Sequence, residues 1–189
     1  FAKRIFDADM VKASSSLWVR NLLTRDMAPP KRLTPEGWNV NSPSFSPDGK
    51  TVYFLSAKSG TQQLYAMPLS GGAPRQLTAF ALDVASYKLS PDGTRVLFST
   101  DTFADCKADF ACTKKRLDDT AAKKSSGVVY DGLFVRHWDT WADGRRSRLF
   151  VAALPAAGAA AIAAARALGG DLDGDVPGKP FGDAGDYAW

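Results

Sequence analysis

Phe45-Ser46-Pro47-Asp48-Gly49-Lys50-Thr51-Val52-Tyr53-Phe54 is matched almost position by position by Leu89-Ser90-Pro91-Asp92-Gly93-Thr94-Arg95-Val96-Leu97-Phe98. In each copy a hydrophobic residue closes one strand, Pro-Asp-Gly makes a tight turn, and a β-branched and aromatic run opens the next strand. Each copy therefore predicts a β-hairpin. A second hairpin follows the first copy: Gln63 to Leu69, the turn Ser70-Gly71-Gly72-Ala73, then Pro74 to Thr78. Fragments of this outer hairpin recur as Leu17-Trp18-Val19 with Lys31-Arg32-Leu33-Thr34, and as Arg148-Leu149-Phe150-Val151 with Arg166-Ala167-Leu168.

The interval from Ser46 to Ser90 falls within the ~40–50 residues of a four-stranded propeller blade, whereas sandwiches seldom repeat whole sequence units. The reading is an all-β fold, a partial β-propeller of about three blades. Blade parts are expected at 1–40, 41–84 and 85–170, with the start of another at 171–189. Phe1 to Phe6 reads as the second strand of a blade whose turn lies upstream, and Tyr187-Ala188-Trp189 aligns with Tyr87-Lys88-Leu89, so both ends are expected to be cut within a blade.

Two stretches break the period. Residues 101–129 form a polar, Lys-rich insertion expected to stand off the blade edge, with one or two helical turns between Lys114 and Lys124. Cys106 and Cys112 lie inside it, at the spacing of a loop closed by one disulfide; two buried free thiols are the alternative. The second stretch, Ala152 to Ala167, is a helix by propensity but a hairpin turn by comparison with the first blade, and Pro155 and Gly158 favour the turn.

The 189 residues are 45% hydrophobic, 11% aromatic and 23% charged, which excludes wholesale disorder. A formal charge of +4 is spread without a basic block, so no nucleic-acid partner is expected. No run reaches the ~18 apolar residues of a membrane helix, and no membrane partner is expected either. A lone His137 and two cysteines do not make a tetrahedral zinc site, and the alternating Asp171, Asp173 and Asp175 lack the spaced Gly and closing Glu of a calcium loop. No metal and no cofactor are expected.

The repeat with its Leu-Tyr and Gln-Leu-Thr outer hairpin resembles that of TolB-type propellers and of the propeller in prolyl-oligopeptidase-family serine peptidases. The segment Val129-Tyr130-Asp131-Gly132-Leu133-Phe134-Val135-Arg136-His137-Trp138-Asp139-Thr140-Trp141-Ala142-Asp143-Gly144-Arg145 is more specific: it is similar to a segment of bacterial dipeptidyl-peptidase V and acylaminoacyl-peptidase-like enzymes. The resemblance extends to Asp173 to Gly182. It implies a propeller that gates access of short peptides to a Ser-Asp-His site in an α/β-hydrolase domain absent from these residues. The partners it brings are a short peptide substrate, that hydrolase domain and, as a candidate, a second copy in a homodimer. The disulfide spacing of Cys106 and Cys112 points to an oxidising compartment, so a periplasmic or secreted location is expected, with cytoplasmic as the alternative. A TolB-like protein-interaction module is the competing function.

No Gly-x-Ser-x-Gly elbow occurs in the chain, so no catalytic residue is assigned. The candidate substrate-binding residues are Arg136, His137, Trp138, Asp139 and Trp141, where charge and large aromatic surface meet. In one reading Asp139 pairs with the free amino group of a peptide while Trp138 or Trp141 packs around that cation. In the other, strand alternation places His137 and Asp139 on one face and buries Trp138 in the blade core.

Overall fold

The computed structural model describes residues 1–9, 11–22, 29–125, 127, 129–130, 136–138, 140–170 and 172–189. Asp131 to Val135, Asp139 and Asp171 lie outside the described residues. Among the described residues, three antiparallel sheets of three or four strands follow one another along the chain. The first joins β1 (Ala2–Phe6), β2 (Ala13–Val19) and β3 (Lys31–Arg32) in that order. The second joins β4 (Val40–Phe45), β5 (Thr51–Ser56), β6 (Gln63–Pro68) and β7 (Arg75–Gln76). The third joins β8 (Ser86–Leu89) and β9 (Arg95–Phe103) to β12 (Arg145–Ala153) and β13 (Arg166–Ala167). The two-stranded ribbon β10 (Arg136–His137) and β11 (Thr140–Trp141) belongs to the excursion between β9 and β12. Consecutive meander order in separate four-stranded sheets is blade topology, and the sheets do not close into a ring: the fold is a partial propeller.

The repeated turn explains why the two full sheets begin alike. Gly49 N donates to Ser46 O (2.9 Å) and Gly49 takes φ +69°. Lys50 N donates to Asp48 Oδ1 (3.1 Å), and Thr51 N donates to the Ser46 hydroxyl (2.9 Å). The second copy repeats this with Gly93 at φ +69°, Thr94 N on Asp92 Oδ1 (3.1 Å) and Arg95 N on the Ser90 hydroxyl (2.9 Å). A non-glycine residue at that φ would be strained.

These bonds act on the acid. The Ser90 hydroxyl, then the amide and hydroxyl of Thr94, hold the Asp92 carboxyl at about 2; an ordinary aspartate titrates near ~4. A depressed folded value means that the contribution is complete above about pH 4 and disappears as pH falls through about 2. Thermal melts of Asp92→Asn should therefore show a shallower loss of stability between those limits than the parent. Equal acid slopes would refute the assignment.

Alternation along β5 and β6 shows where the cores sit. Val52, Phe54, Tyr65 and Met67 face the first sheet and pack with Leu17 and Val40. Leu55, Leu64 and Ala66 face the third sheet and join Phe80, Val96, Phe98 and Phe150. The middle sheet is thus apolar on both faces, whereas many antiparallel sheets keep one face for water.

The insertion differs from its expectation in two ways. Strand β9 runs on to Phe103, and helix α1 spans Phe110–Ala121, three turns rather than one or two. Asp109 caps it, accepting from Cys112 N (3.0 Å). Nor does the insertion simply stand off the edge, because Phe110 enters the core, edge-on to Phe80 (5.2 Å) and Phe150 (4.9 Å). Cys106 and Cys112 are joined by a disulfide across the start of the helix. Outside, Arg116 grips Asp105 with two bonds of 3.0 and 2.6 Å and lies over the Phe103 ring.

The alanine-rich stretch is not helical. β12 and β13 pair through Phe150↔Ala167 and Val151↔Arg166, and the connection between them reaches back to the middle sheet. There Thr78 and Ile162 form a parallel bridge, with Ala79 N on Ile162 O (2.7 Å) and Ile162 N on Leu77 O (2.8 Å). Arg75 adds bonds to the carbonyls of Pro155 and Ala156, each 3.1 Å. Backbone satisfied by a neighbouring sheet outweighs alanine's modest helix propensity.

Candidate functional site

The ribbon β10–β11 pairs Arg136 with Trp141 and His137 with Thr140, so the chain reverses between His137 and Thr140. Trp138 sits in that reversal at φ +51° and is 75% exposed. The reading that buried it in the blade core is overturned: alternation holds only while a strand stays extended, and here it ends at His137. A bulky residue in the left-handed region is also strained, a pattern found at binding sites more often than elsewhere.

Aromatic rings gather on this reversal in two groups. His137 stacks on Trp138 (5.6 Å between centroids), and Phe181 meets both edge-on at 5.6 and 5.4 Å. Trp141, 55% exposed, stacks with Tyr130 (5.8 Å) and receives the Arg136 guanidinium over its face at 5.2 Å. Arg136, His137, Trp138 and Trp141 are therefore gathered on one ribbon. Their contacts are ring to ring and cation to ring. The neighbours of His137 are aromatic, which suits a binding surface better than a proton relay.

An open cleft of about 510 Å³ lies behind the ribbon, lined by Arg136, His137 and Trp141 on one side and by Asp101, Asp175 and Lys179 on the other. Its polar wall is an ion lattice. Lys179 Nζ sits 2.9 Å from Asp101 Oδ2 and 3.9 Å from Asp175 Oδ1, and donates to Arg145 O at 3.3 Å. Arg146 Nε meets Asp173 Oδ1 at 2.9 Å, and Ser147 N donates to Asp175 Oδ1 at 2.7 Å. Burial pushes the Asp143 carboxyl up, but two hydrogen bonds from Arg145 and its charge outweigh this and leave it below the usual range. Asp173 and Asp175 thus serve as counter-ions that tie the segment after β13 to β12, and that tie places Phe181 beside Trp138. Among the described residues no cluster of His, Cys, Asp or Glu converges as a metal site.

Tyr130 is part of the ribbon motif legible in the sequence, whereas Phe181 and Lys179 lie in the second stretch of the resemblance, Asp173 to Gly182, which nothing in the sequence places beside the ribbon. Both come from a distant loop-like segment without periodicity, brought in by Asp173 on Arg146, Asp175 on Ser147 N and Lys179 on Asp101.

A family model described as the TolB beta propeller domain matches residues 5–131. A dipeptidyl-peptidase 5 of Porphyromonas endodontalis is 30% identical over 158 residues, covering 84% of this chain and 21% of that protein. A dipeptidyl-peptidase 4 of Giardia intestinalis is 26% identical over 176 residues, again 84% of this chain and 23% of its own length. The chain therefore spans about a fifth of the length of these curated relatives. Among solved structures, the acylaminoacyl peptidase of Pyrococcus horikoshii aligns over 80% of this chain and 20% of its own, with TM-score 0.54 at 15% identity, which speaks for the fold alone. With Pro-Asp-Gly blades in its sequence, blade sheets in its structure and dipeptidyl peptidases among its relatives, the chain belongs to the TolB beta propeller family.

Proposed function

We propose that this chain is the propeller portion of a serine exopeptidase of the dipeptidyl or acylaminoacyl type, and that it gates entry of short peptides to a Ser-Asp-His site in a hydrolase domain. One observation carries the reading: exposed Trp141 and His137 line a charged cleft, and the exposed rings of Trp138 and Phe181 pack against that same His137, in a segment that resembles those peptidases. Such rings offer large apolar contact area at low entropic cost, and their faces accept a peptide's ammonium group. Asp139, outside the described residues, is the proposed partner of that ammonium. The disulfide supports a periplasmic or secreted location, because structural disulfides persist in oxidising compartments.

The test is kinetic, on the full-length protein. Trp138→Ala combined with Phe181→Ala should reduce kcat/KM for a dipeptidyl chromogenic substrate about tenfold, mainly through KM, the worth of roughly one buried aromatic contact. Exposed side chains contribute little to the fold, so the melting temperature should stay within about 2 °C. Unchanged kinetics would end the substrate-binding role of the ribbon, and would favour the protein-interaction alternative.

A further inference from the structure

The charges that line the cleft behind the ribbon do not balance. Four of its lining residues are cationic, Arg136, Arg145, Arg146 and Lys179, and three are acidic, Asp101, Asp143 and Asp175. Three of the cations are neutralised within the protein. Arg145 Nη2 lies 2.6 Å from Asp143 Oδ2, Lys179 is held by Asp101, and Arg146 is held by Asp173, with Asp175 Oδ2 at 3.8 Å. Arg136 is the exception: among the described residues no carboxylate comes within ion-pair distance of it.

Its position is nevertheless fixed. Arg136 is paired with Trp141 across the ribbon, and directly opposed residues of an antiparallel pair come within side-chain reach. The guanidinium settles over the Trp141 ring at 5.2 Å, and that ring is itself stacked on Tyr130. A ring face attracts the cation without using an N–H group, so the planar fork of five donors stays available. Such a fork, weakly hydrated and held in place, matches the two oxygens of a carboxylate better than the point charge of a lysine does. No described residue supplies that carboxylate; a peptide entering the cleft does.

We propose that Arg136 is a specificity-determining residue of this entrance, and that its guanidinium takes a carboxylate of the incoming peptide, either the C-terminal one or that of an aspartate or glutamate side chain. The inference rests on the gating role and adds to it the substrate class: peptides that present a negative charge are admitted ahead of those that do not.

Paired substrates on the full-length protein test it. Tetra-alanine and its C-terminal amide differ by one charge, and the free acid should be cleaved with a kcat/KM about tenfold higher, carried by KM, the effect of one charge-assisted hydrogen-bonded contact. Ala-Ala-Ala-Glu amide set against Ala-Ala-Ala-Gln amide tells a side-chain carboxylate from the C-terminal one. Arg136→Gln should bring the ratio within the discriminating pair to about one, and Arg136→Lys, which keeps the charge and loses the fork, should leave it in between. Both variants should melt within about 2 °C of the parent, because Arg136 is exposed. Discrimination in neither pair, or a ratio that Arg136→Gln leaves unchanged, would overturn the proposal. Its failure is separable from that of the gate. If only the choice of charge is wrongly assigned, the Trp138 and Phe181 double variant still loses affinity for the uncharged amide; unchanged kinetics in both sets of variants would remove the gate as well.

Discussion

Phe110→Ala is expected to destabilise the propeller by about 3–5 kcal/mol, the range of large-to-small substitutions in a packed core. The residue looks dispensable in sequence, as one of a few scattered large apolar side chains in a polar insertion. In the structure its ring is only 8% exposed and closes an aromatic cluster in which Phe80, Phe98 and Phe150 stack in sequence at 4.9 and 5.7 Å. The start of α1 cannot slide in to fill the void. It is fastened by the Cys106–Cys112 bridge and by Phe103 N donating to the Thr113 hydroxyl at 3.3 Å. A midpoint of thermal unfolding lower by roughly 10 °C is the expected reading. A Phe110→Leu variant should lose less than half as much. A shift within 2 °C for Phe110→Ala would show that the insertion is not part of the core.

Gln63→Leu should cost about 3–4 kcal/mol although it replaces a polar residue by an apolar one of similar size in the interior. Gln63 is 1% exposed, and its amide serves the segment linking two sheets. Its Nε2 donates to the carbonyls of Phe80 (3.2 Å) and Leu82 (3.0 Å) and to the Thr61 hydroxyl (2.9 Å). Its Oε1 accepts from Phe80 N (3.1 Å) and the Thr78 hydroxyl (2.8 Å). Leucine would strip the Phe80 amide and the Leu82 carbonyl of these bonds, at ~1–3 kcal/mol for each group that water cannot reach, and would weaken the bonding of the Thr78 hydroxyl, which keeps Leu64 N. Hydrogen exchange at the Phe80 amide, slow in the parent, should speed up by at least tenfold. An unchanged rate there would show that the network contributes nothing.

Much of this architecture is legible in the sequence because it rests on local chemistry. Ser46 and Ser90 organise their turns with bonds inside six residues, so both copies can be recognised without any distant information. The outer hairpins at Trp18, Tyr65 and Phe150 likewise pair as the repeat implies. Phe110 could not be placed in this way, since the few apolar residues of the insertion match no strand of the repeat. Trp138 was misplaced in the strand reading because neither glycine nor asparagine marks the positive φ where the ribbon reverses. At the candidate site the sequence reveals the ribbon residues but not their neighbours. Phe181 arrives through ion pairs between Arg146 and Asp173 and between Lys179 and Asp101, and side chains so far apart in the chain announce no such pairing.

The two-faced middle sheet alters what fixes its alignment. In a sheet with a wet face, a slip of one residue drives the apolar side chains into water, and that penalty alone enforces the pairing. In β5 the same slip would only exchange Phe54 for Leu55, trading one greasy compartment for another. Pattern therefore cannot lock β5 against β4; the turn must. Ser46, which both receives Thr51 N and places its own amide on Thr51 O at 2.8 Å, is the indexing pin of the blade. Loss of its side chain would loosen the choice between neighbouring alignments while leaving every hydrophobic residue a place to hide.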